Sequence, residues 1–265
     1  MLNTVYQLVA PRKFEIVYQN ISLQGQDAIV RPTHLSICNA DQRYYQGLRE
    51  AKVLQQKLPM ALIHEAVGTV VCDPSGTFKP GEQVVMIPNI PVEEDEFIAE
   101  NYLRSSRFRA SGFDGFMQEY VTIQPDRLVR IPEGVDKTVA AFTEIVSVSV
   151  HALSRFDRIA HDRRRQVGIW GDGNLGYITA LFFKYMFPDT KLYIFGINRE
   201  KLSLSLMPYL RWNTFRMICI WIMHLSVLVV LVREKLLIRL LIEFSQKGRY
   251  LYWGYQSIQF LLIRV

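Results

Sequence analysis

The run Gln166-Val167-Gly168-Ile169-Trp170 leads directly into Gly171-Asp172-Gly173-Asn174-Leu175-Gly176, three glycines at G-x-G-x-x-G spacing. The apolar run predicts a short buried strand, and Tyr177–Phe187 after the glycines predicts a helix. Pro188-Asp189 breaks that helix, and Lys191–Phe195 predicts a second strand. Strand, glycine turn, helix and strand in this order make the first βαβ unit of a Rossmann half. In this setting Gly171 permits the tight turn and Gly173 lets backbone approach a pyrophosphate. Gly176 allows the helix to pack closely on the strand, and the helix N-terminus offers free N–H groups to the anion.

The end of the second strand bears on which dinucleotide binds. An NAD site places Asp or Glu there, about 20 residues after the turn, to hold the ribose 2′-hydroxyl. Here that place holds Gly196, followed by Ile197-Asn198-Arg199-Glu200-Lys201. Arg199 or Lys201 could pair with a 2′-phosphate, so the expected cofactor is NADP(H).

On the N-terminal side the texture is β-rich. Asp27–Arg31, Val67–Val71, Gln83–Ile87 and Gln118–Ile123 are rich in Val and Ile. Turn signals separate them, such as Asp73-Pro74-Ser75-Gly76 and Lys79-Pro80-Gly81. Residues 93–109 form a charged excursion that reads as a solvated loop or helix face. From Asp136 the pattern becomes helical through Ala140–Leu153. With 265 residues, 49% hydrophobic and 21% charged, the chain is globular rather than disordered. Cys38, Cys72 and Cys219 are too few for a disulfide framework and fit a reducing compartment. Met1 to Pro11 shows no secretory pattern, and a cytoplasmic protein is expected.

The formal charge of +6 looks like a nucleic-acid signal until it is divided. Residues 1–201 hold 23 basic and 23 acidic residues, whereas 202–265 hold eight basic residues and two glutamates. The excess lies entirely in the last quarter, so no nucleic-acid partner is expected. That quarter also lacks Asp and Ala, and 40 of its 64 residues are apolar.

Cys38, the adjacent pair His64-Glu65, and Glu144 are far apart in sequence, and taken alone they indicate little. Their flanks say more. Ser36-Ile37-Cys38-Asn39-Ala40-Asp41, Ile63-His64-Glu65-Ala66-Val67-Gly68, Pro80-Gly81-Glu82-Gln83-Val84 and Asp114-Gly115-Phe116-Met117-Gln118-Glu119-Tyr120 precede the glycine turn in one order. In that order they resemble the zinc-dependent medium-chain dehydrogenases/reductases. The resemblance implies an α/β fold: a GroES-like β-rich catalytic domain over 1–140, then a doubly wound Rossmann domain. The start of that second domain, 141–201, would bind NADP(H).

The same resemblance implies that Cys38, His64, Glu65 and Glu144 are catalytic residues holding one catalytic Zn²⁺. Residues 90–115 contain no Cys, so the family's structural zinc is not expected. Ala40 replaces the Ser or Thr often used to relay a proton. Met1–Gly47 and Gly168–Ala180 are most similar to a bacterial branch that reduces D-ribulose 5-phosphate to D-ribitol 5-phosphate. That step precedes CDP-ribitol formation for teichoic acid or capsule, which implies coupling to a ribitol-5-phosphate cytidylyltransferase; a full-length protein of this kind would be a homodimer. For the substrate phosphate, Arg43, Arg104, Arg107 and Arg109 are candidates. Two alternatives stand beside this reading: an NAD-dependent polyol dehydrogenase of the same branch, and a noncatalytic membrane-associated protein.

For residues 202–265 a membrane span is one explanation, but the uncharged run Met217–Val232 is short of the roughly 20 residues a spanning helix needs. The genetic code offers another. Read one base upstream, Met207-Pro208 forces Ala, Trp212-Asn213 forces Glu and Met223-His224 forces Ala. In the same frame Ile222–Val230 can become D-Y-A-F-E-C-V-G-G, which resembles a continuing Rossmann domain. The expectation is a frameshift between about Lys201 and Met207, an incomplete second domain, and an aberrant tail over 202–265 that impairs the chain.

Overall fold

The computed structural model describes residues 1–22, 25–99, 102–160 and 164–204, with the backbone of 209–211, 227–231 and 260–263. Two compact units meet in sequence between Glu144 and Ile145.

In the first unit, β1 (Leu2–Ala10) and β2 (Lys13–Asn20) form a hairpin about Pro11-Arg12. Val5 and Leu8 of β1 are fully buried while most of β2 is exposed, so the pair is covered on one side. Next come β3 (Ala28–Ser36), α1 (Asn39–Tyr45), α2 (Ala51–Lys57), β4 (Met60–Ala61) and β5 (Glu65–Cys72). Then follow β6 (Gln83–Met86), β7 (Asn89–Ile90), β8 (Arg107–Phe108), β9 (Val121–Ile123) and β10 (Leu128–Arg130). The strands assemble as β2-β1-β4, as β10-β6-β5-β3-β9, and as the small pair β7-β8.

β5 is central and almost wholly buried, which is why Ala66-Val67-Gly68 interrupts its run with small residues. A Cβ on Gly68 would come within 2.7 Å of the Arg31 carbonyl oxygen on β3. The core gathers Leu8, Val30, Leu62, Val70, Met86 and Phe116. Burying a side chain the size of Phe116 contributes about 1.5–3 kcal/mol, so this cluster carries much of the unit's stability.

The helices α3 (Lys137–Ala140) and α4 (Thr143–Ile159) follow, and the boundary between units falls in the first turn of α4. In the second unit β11 (Gln166–Trp170), α5 (Asn174–Met186) and β12 (Lys191–Gly196) form the βαβ crossover, with β11 and β12 parallel from Gln166↔Lys191 to Trp170↔Phe195. Leu153 and Phe156 of α4 pack with Val167, Ile169, Phe183 and Leu192. The Trp170 ring stacks on Phe195 at 4.3 Å between centroids. The short α6 (Arg199–Ser203) starts at Asn198, whose side chain accepts from the N–H groups of Glu200 and Lys201.

Three further strands, β13 (Tyr209–Arg211), β14 (Val227–Leu231) and β15 (Phe260–Ile263), complete the order β13-β12-β11-β14-β15. β13 runs parallel to β12, but β14 runs antiparallel to β11. A doubly wound sheet carries a parallel strand at that edge, so the described part of this domain is an incomplete one.

Each expected strand has a counterpart, but β3 runs on past Arg31 to Ser36, β9 begins only at Val121 rather than Gln118, and β12 includes Gly196. The helix after the glycine turn starts at Asn174, three residues before the expected Tyr177, because Gly173 is already its N-cap. The charged excursion contributes β8 and an exposed acidic stretch from Glu93 to Glu96. Most of the expected aberrant tail lies outside the described residues, as does 205–207 of the span from about Lys201 to Met207 in which the frame change is expected. No helix among the described residues is long and apolar enough to cross a membrane.

Candidate metal centre and nucleotide turn

Within the first unit the fold brings three of the four expected ligands together. The Cys38 Sγ, a His64 ring nitrogen and a Glu65 carboxylate oxygen all lie within 4.8 Å of one another. Cys38 is the N-cap of α1, and His64-Glu65 lies at the start of β5. β3 and β5 pair antiparallel with Ser36 opposite Glu65, so the strand ends deliver both ligand segments to one place.

Asp41 ties the segments together. It is 2% exposed; its Oδ2 accepts the Cys38 N–H at 3.0 Å and its Oδ1 accepts the Ile63 N–H at 2.9 Å. The His64 Nδ1 stands 3.9 Å from the same Oδ1. Ile63 holds a left-handed backbone, φ 73°, which a β-branched residue adopts only at a cost on the order of 1–3 kcal/mol. Its carbonyl accepts from Phe116 N–H and its N–H is held by Asp41, so the surroundings enforce the turn that presents His64. Asp114 supports the approach to this turn by accepting the Ala61 N–H at 2.7 Å, and the Phe108 ring packs on the His64 ring at 5.3 Å.

The donor set suits a divalent cation. Among the described residues, Glu65 Oε1 is one of three buried side-chain polar atoms without a hydrogen-bond partner. A buried carboxylate oxygen of that kind costs free energy unless something cationic completes it. Burial pushes the Cys38 thiol up to about 12, and the carboxylates of Glu65, Asp41 and Glu144 push in the same direction. Burial likewise raises the Glu144 carboxyl to about 7, with Glu65 and Asp41 adding to it. Glu144 is therefore close enough to sense the cluster electrostatically, but it does not join the three-residue group. Thiolate, imidazole and carboxylate are the ligand types of a catalytic zinc site. No geometry for a fourth ligand follows from this arrangement.

In the second unit the glycine turn has the expected shape. Gly171 has φ 150°, and a Cβ on Gly176 would fall 2.2 Å from the Gly171 carbonyl oxygen. A Cβ on Gly173 would meet nothing within 4 Å, leaving that side of the turn open. Arg199 and Lys201 are exposed in α6.

Two aspartates do more than their sequence positions suggest. Asp41 is visible in the sequence only as part of a motif. Asp172, the residue between the first two glycines, directs its Oδ2 onto the N–H groups of Ile197 at 2.7 Å and Asn198 at 2.6 Å. The spacing of three glycines draws attention away from it, and no local pattern announces a bond 25 residues on. Of the four arginines considered for a substrate phosphate, Arg109 is already engaged: it is half-buried, and it donates to the backbone carbonyls of Thr122 and Asp114.

Residues 24–133 match the alcohol dehydrogenase GroES-like domain. A ribulose-5-phosphate reductase of Bacillus spizizenii is 57% identical over 203 residues, 77% of this chain and 60% of that protein. Ribulose-5-phosphate reductase 2 of Staphylococcus aureus is 55% identical over the same shares. The chain thus spans about 60% of the length of these curated relatives. The crystal structure of S. aureus TarJ in complex with NADPH is similar, with TM-score 0.66 and 43% identity, over 82% of this chain and 62% of that one. L-idonate 5-dehydrogenase of Escherichia coli shares the fold at TM-score 0.72 and 22% identity, over 82% of this chain and 65% of that one. Over the matched span the chain is thus similar to proteins named ribulose-5-phosphate reductase, and residues 24–133 match the alcohol dehydrogenase GroES-like domain.

Proposed function

We propose that this chain carries the catalytic domain and the first half of the nucleotide site of an NADPH-dependent, zinc-dependent ribulose-5-phosphate reductase. The observation that carries the reading is the convergence of Cys38, His64 and Glu65 around an unsatisfied carboxylate oxygen. The identity with proteins named for that reaction supplies the substrate.

Cys38, His64, Glu65 and Glu144 would hold the zinc, which as a Lewis acid polarises a ketone oxygen. NADPH would supply the hydride. Asp41 fixes Cys38 and the turn before His64, so the ligands are set before any metal arrives. The glycine turn and the start of α5 present N–H groups to a pyrophosphate. Ala40 offers no hydroxyl, so the proton that completes ribitol 5-phosphate passes by a route other than this position.

The reading extends to a cytoplasmic enzyme, a homodimer when full length, acting ahead of a cytidylyltransferase on the way to CDP-ribitol. Its domains would be 1–140, 141–201 and an out-of-frame tail over 202–265. In this reading the chain lacks the later strands of the nucleotide sheet and is impaired.

The test has two steps. Sequencing codons 198–210 of the gene should reveal a slipped frame; an intact frame with the tail present in expressed protein would remove that element. With the frame restored, the protein should contain one zinc and oxidise NADPH with ribulose 5-phosphate. Faster turnover of an unphosphorylated polyol with NAD would favour the polyol dehydrogenase instead.

A further inference from the structure

We infer that Asp172 sets the balance between the two nicotinamide cofactors, because its carboxylate stands where an NAD site has the acidic residue of its second strand. The inference deepens the proposed nucleotide site and rests on it. A Cβ on Gly196 would lie 2.5 Å from the Asp172 Cβ and 2.7 Å from its Oδ2. The Asp172 side chain therefore fills the volume that a side chain at position 196 would occupy. Position 196 ends β12, where the acid that binds a ribose 2′-hydroxyl is normally rooted. The carboxylate missing from strand β12 is returned to the same place from the glycine turn.

Its anchoring determines its effect. Asp172 Oδ2 takes the N–H groups of both Ile197 and Asn198. Consecutive backbone N–H groups at a strand end are natural donors to a phosphate ester, and here they are already used. A 2′-phosphate entering this corner must find its donors among side chains, with Arg199 and Lys201 of α6 the nearest cations in sequence. It must also accept a fixed negative charge beside it, whereas a 2′-hydroxyl meets an acceptor. Asp172 thus opposes the 2′-phosphate that the two basic residues favour, and so limits the preference for NADPH that they give. Gly196 is required by this arrangement, since any larger residue would expel the Asp172 side chain.

Binding of adenosine 2′,5′-bisphosphate and of adenosine 5′-monophosphate to the full chain, followed by calorimetry, tests the inference without relying on turnover. Asp172→Asn keeps an acceptor oxygen for the two amides and removes the charge. Bisphosphate affinity should rise roughly tenfold while monophosphate affinity changes by less than about twofold, the size expected when one nearby, partly screened charge is removed. Asp172→Ser should shift the ratio in the same direction if the Asn variant fails to fold by circular dichroism. An unchanged ratio, or equal weakening of both ligands, would make Asp172 a loop pin only and overturn the inference while leaving the nucleotide site standing. Failure of the unaltered chain to bind either ligand would overturn the nucleotide site itself, and the inference with it.

Discussion

The metal cluster and the glycine turn are built on opposite plans. The cluster joins Cys38 at the head of α1, His64 and Glu65 at the head of β5, and the field of Glu144 from α4. The link from Cys38 to the His64-Glu65 pair crosses more than twenty residues and depends on β3 pairing with β5. The glycine turn needs only residues 166–201, in which β11, α5, β12 and the start of α6 follow one another. A site built from distant segments fails when any one of its supports fails. A local one fails only when its own turn does.

The largest effect should come from the ligands themselves. Cys38→Ala or His64→Ala should lower zinc affinity by more than about a hundredfold, beyond the range that supporting residues command. Zinc titration with a chromophoric competitor measures it. Binding of adenosine 2′,5′-bisphosphate should be unaffected in the same samples; parallel loss of both would show that the two sites are not independent.

Asp41→Asn comes next and separates support from ligation. It retains the shape but leaves one acceptor oxygen for the Cys38 and Ile63 N–H groups and turns an NH2 donor on the other, so zinc affinity should fall about 10–100-fold. Thermal stability should fall too, by about 1–3 kcal/mol, because a buried hydrogen-bonded group is disturbed. Wild-type zinc affinity in this variant would mean that strand pairing alone holds the ligands.

Gly176→Ala probes the local plan. The added Cβ would be driven to 2.2 Å from the Gly171 carbonyl oxygen, and that oxygen is backbone, which does not swing aside. Nucleotide binding should be lost and the second unit destabilised by about 1–3 kcal/mol, as for other overpacked sites. Zinc affinity should stay at its unaltered value.

The same contrast governs which features are legible in the amino-acid sequence. Gly171, Gly173 and Gly176 announce their turn by their spacing, and Gly171 and Gly176 each answer a constraint set within a few residues. β11 and β12 can be placed almost to the residue for the same reason. The ligands are nameable only through the family resemblance, since nothing in the spacing of Cys38, His64 and Glu144 says that they meet. Asp41 and Asp172 give no comparable signal, because their bonds run to Ile63 and Ile197, distances that no periodicity encodes. Gly196 is legible as an absence, yet the structure shows Asp172 filling it. The antiparallel placement of β14 between β11 and β15 is hidden too, because the choice of pairing partner leaves no local mark.

The smallest expected effect tests whether a local turn in the first unit is as separable as the comparison implies. Arg12 holds φ 63° in the β1–β2 turn and is exposed, while its N–H donates to the Tyr45 carbonyl at 2.8 Å. Glycine adopts that backbone without the Cβ penalty, and it keeps the N–H. Relief of about 1–2 kcal/mol of left-handed strain is offset in part by the greater freedom of glycine in the unfolded chain. Arg12→Gly should therefore raise stability by about 0.5–1 kcal/mol in a urea melt. The hairpin reaches the ligands through β1 and its partner β4 and through the Arg12–Tyr45 bond to α1, and glycine keeps both, so zinc affinity should not move with it. A gain in stability accompanied by a change in zinc affinity would mean that strain at the hairpin is transmitted to the turn before His64. The cluster would then depend on the whole unit, not on Asp41 and the β3–β5 pairing alone.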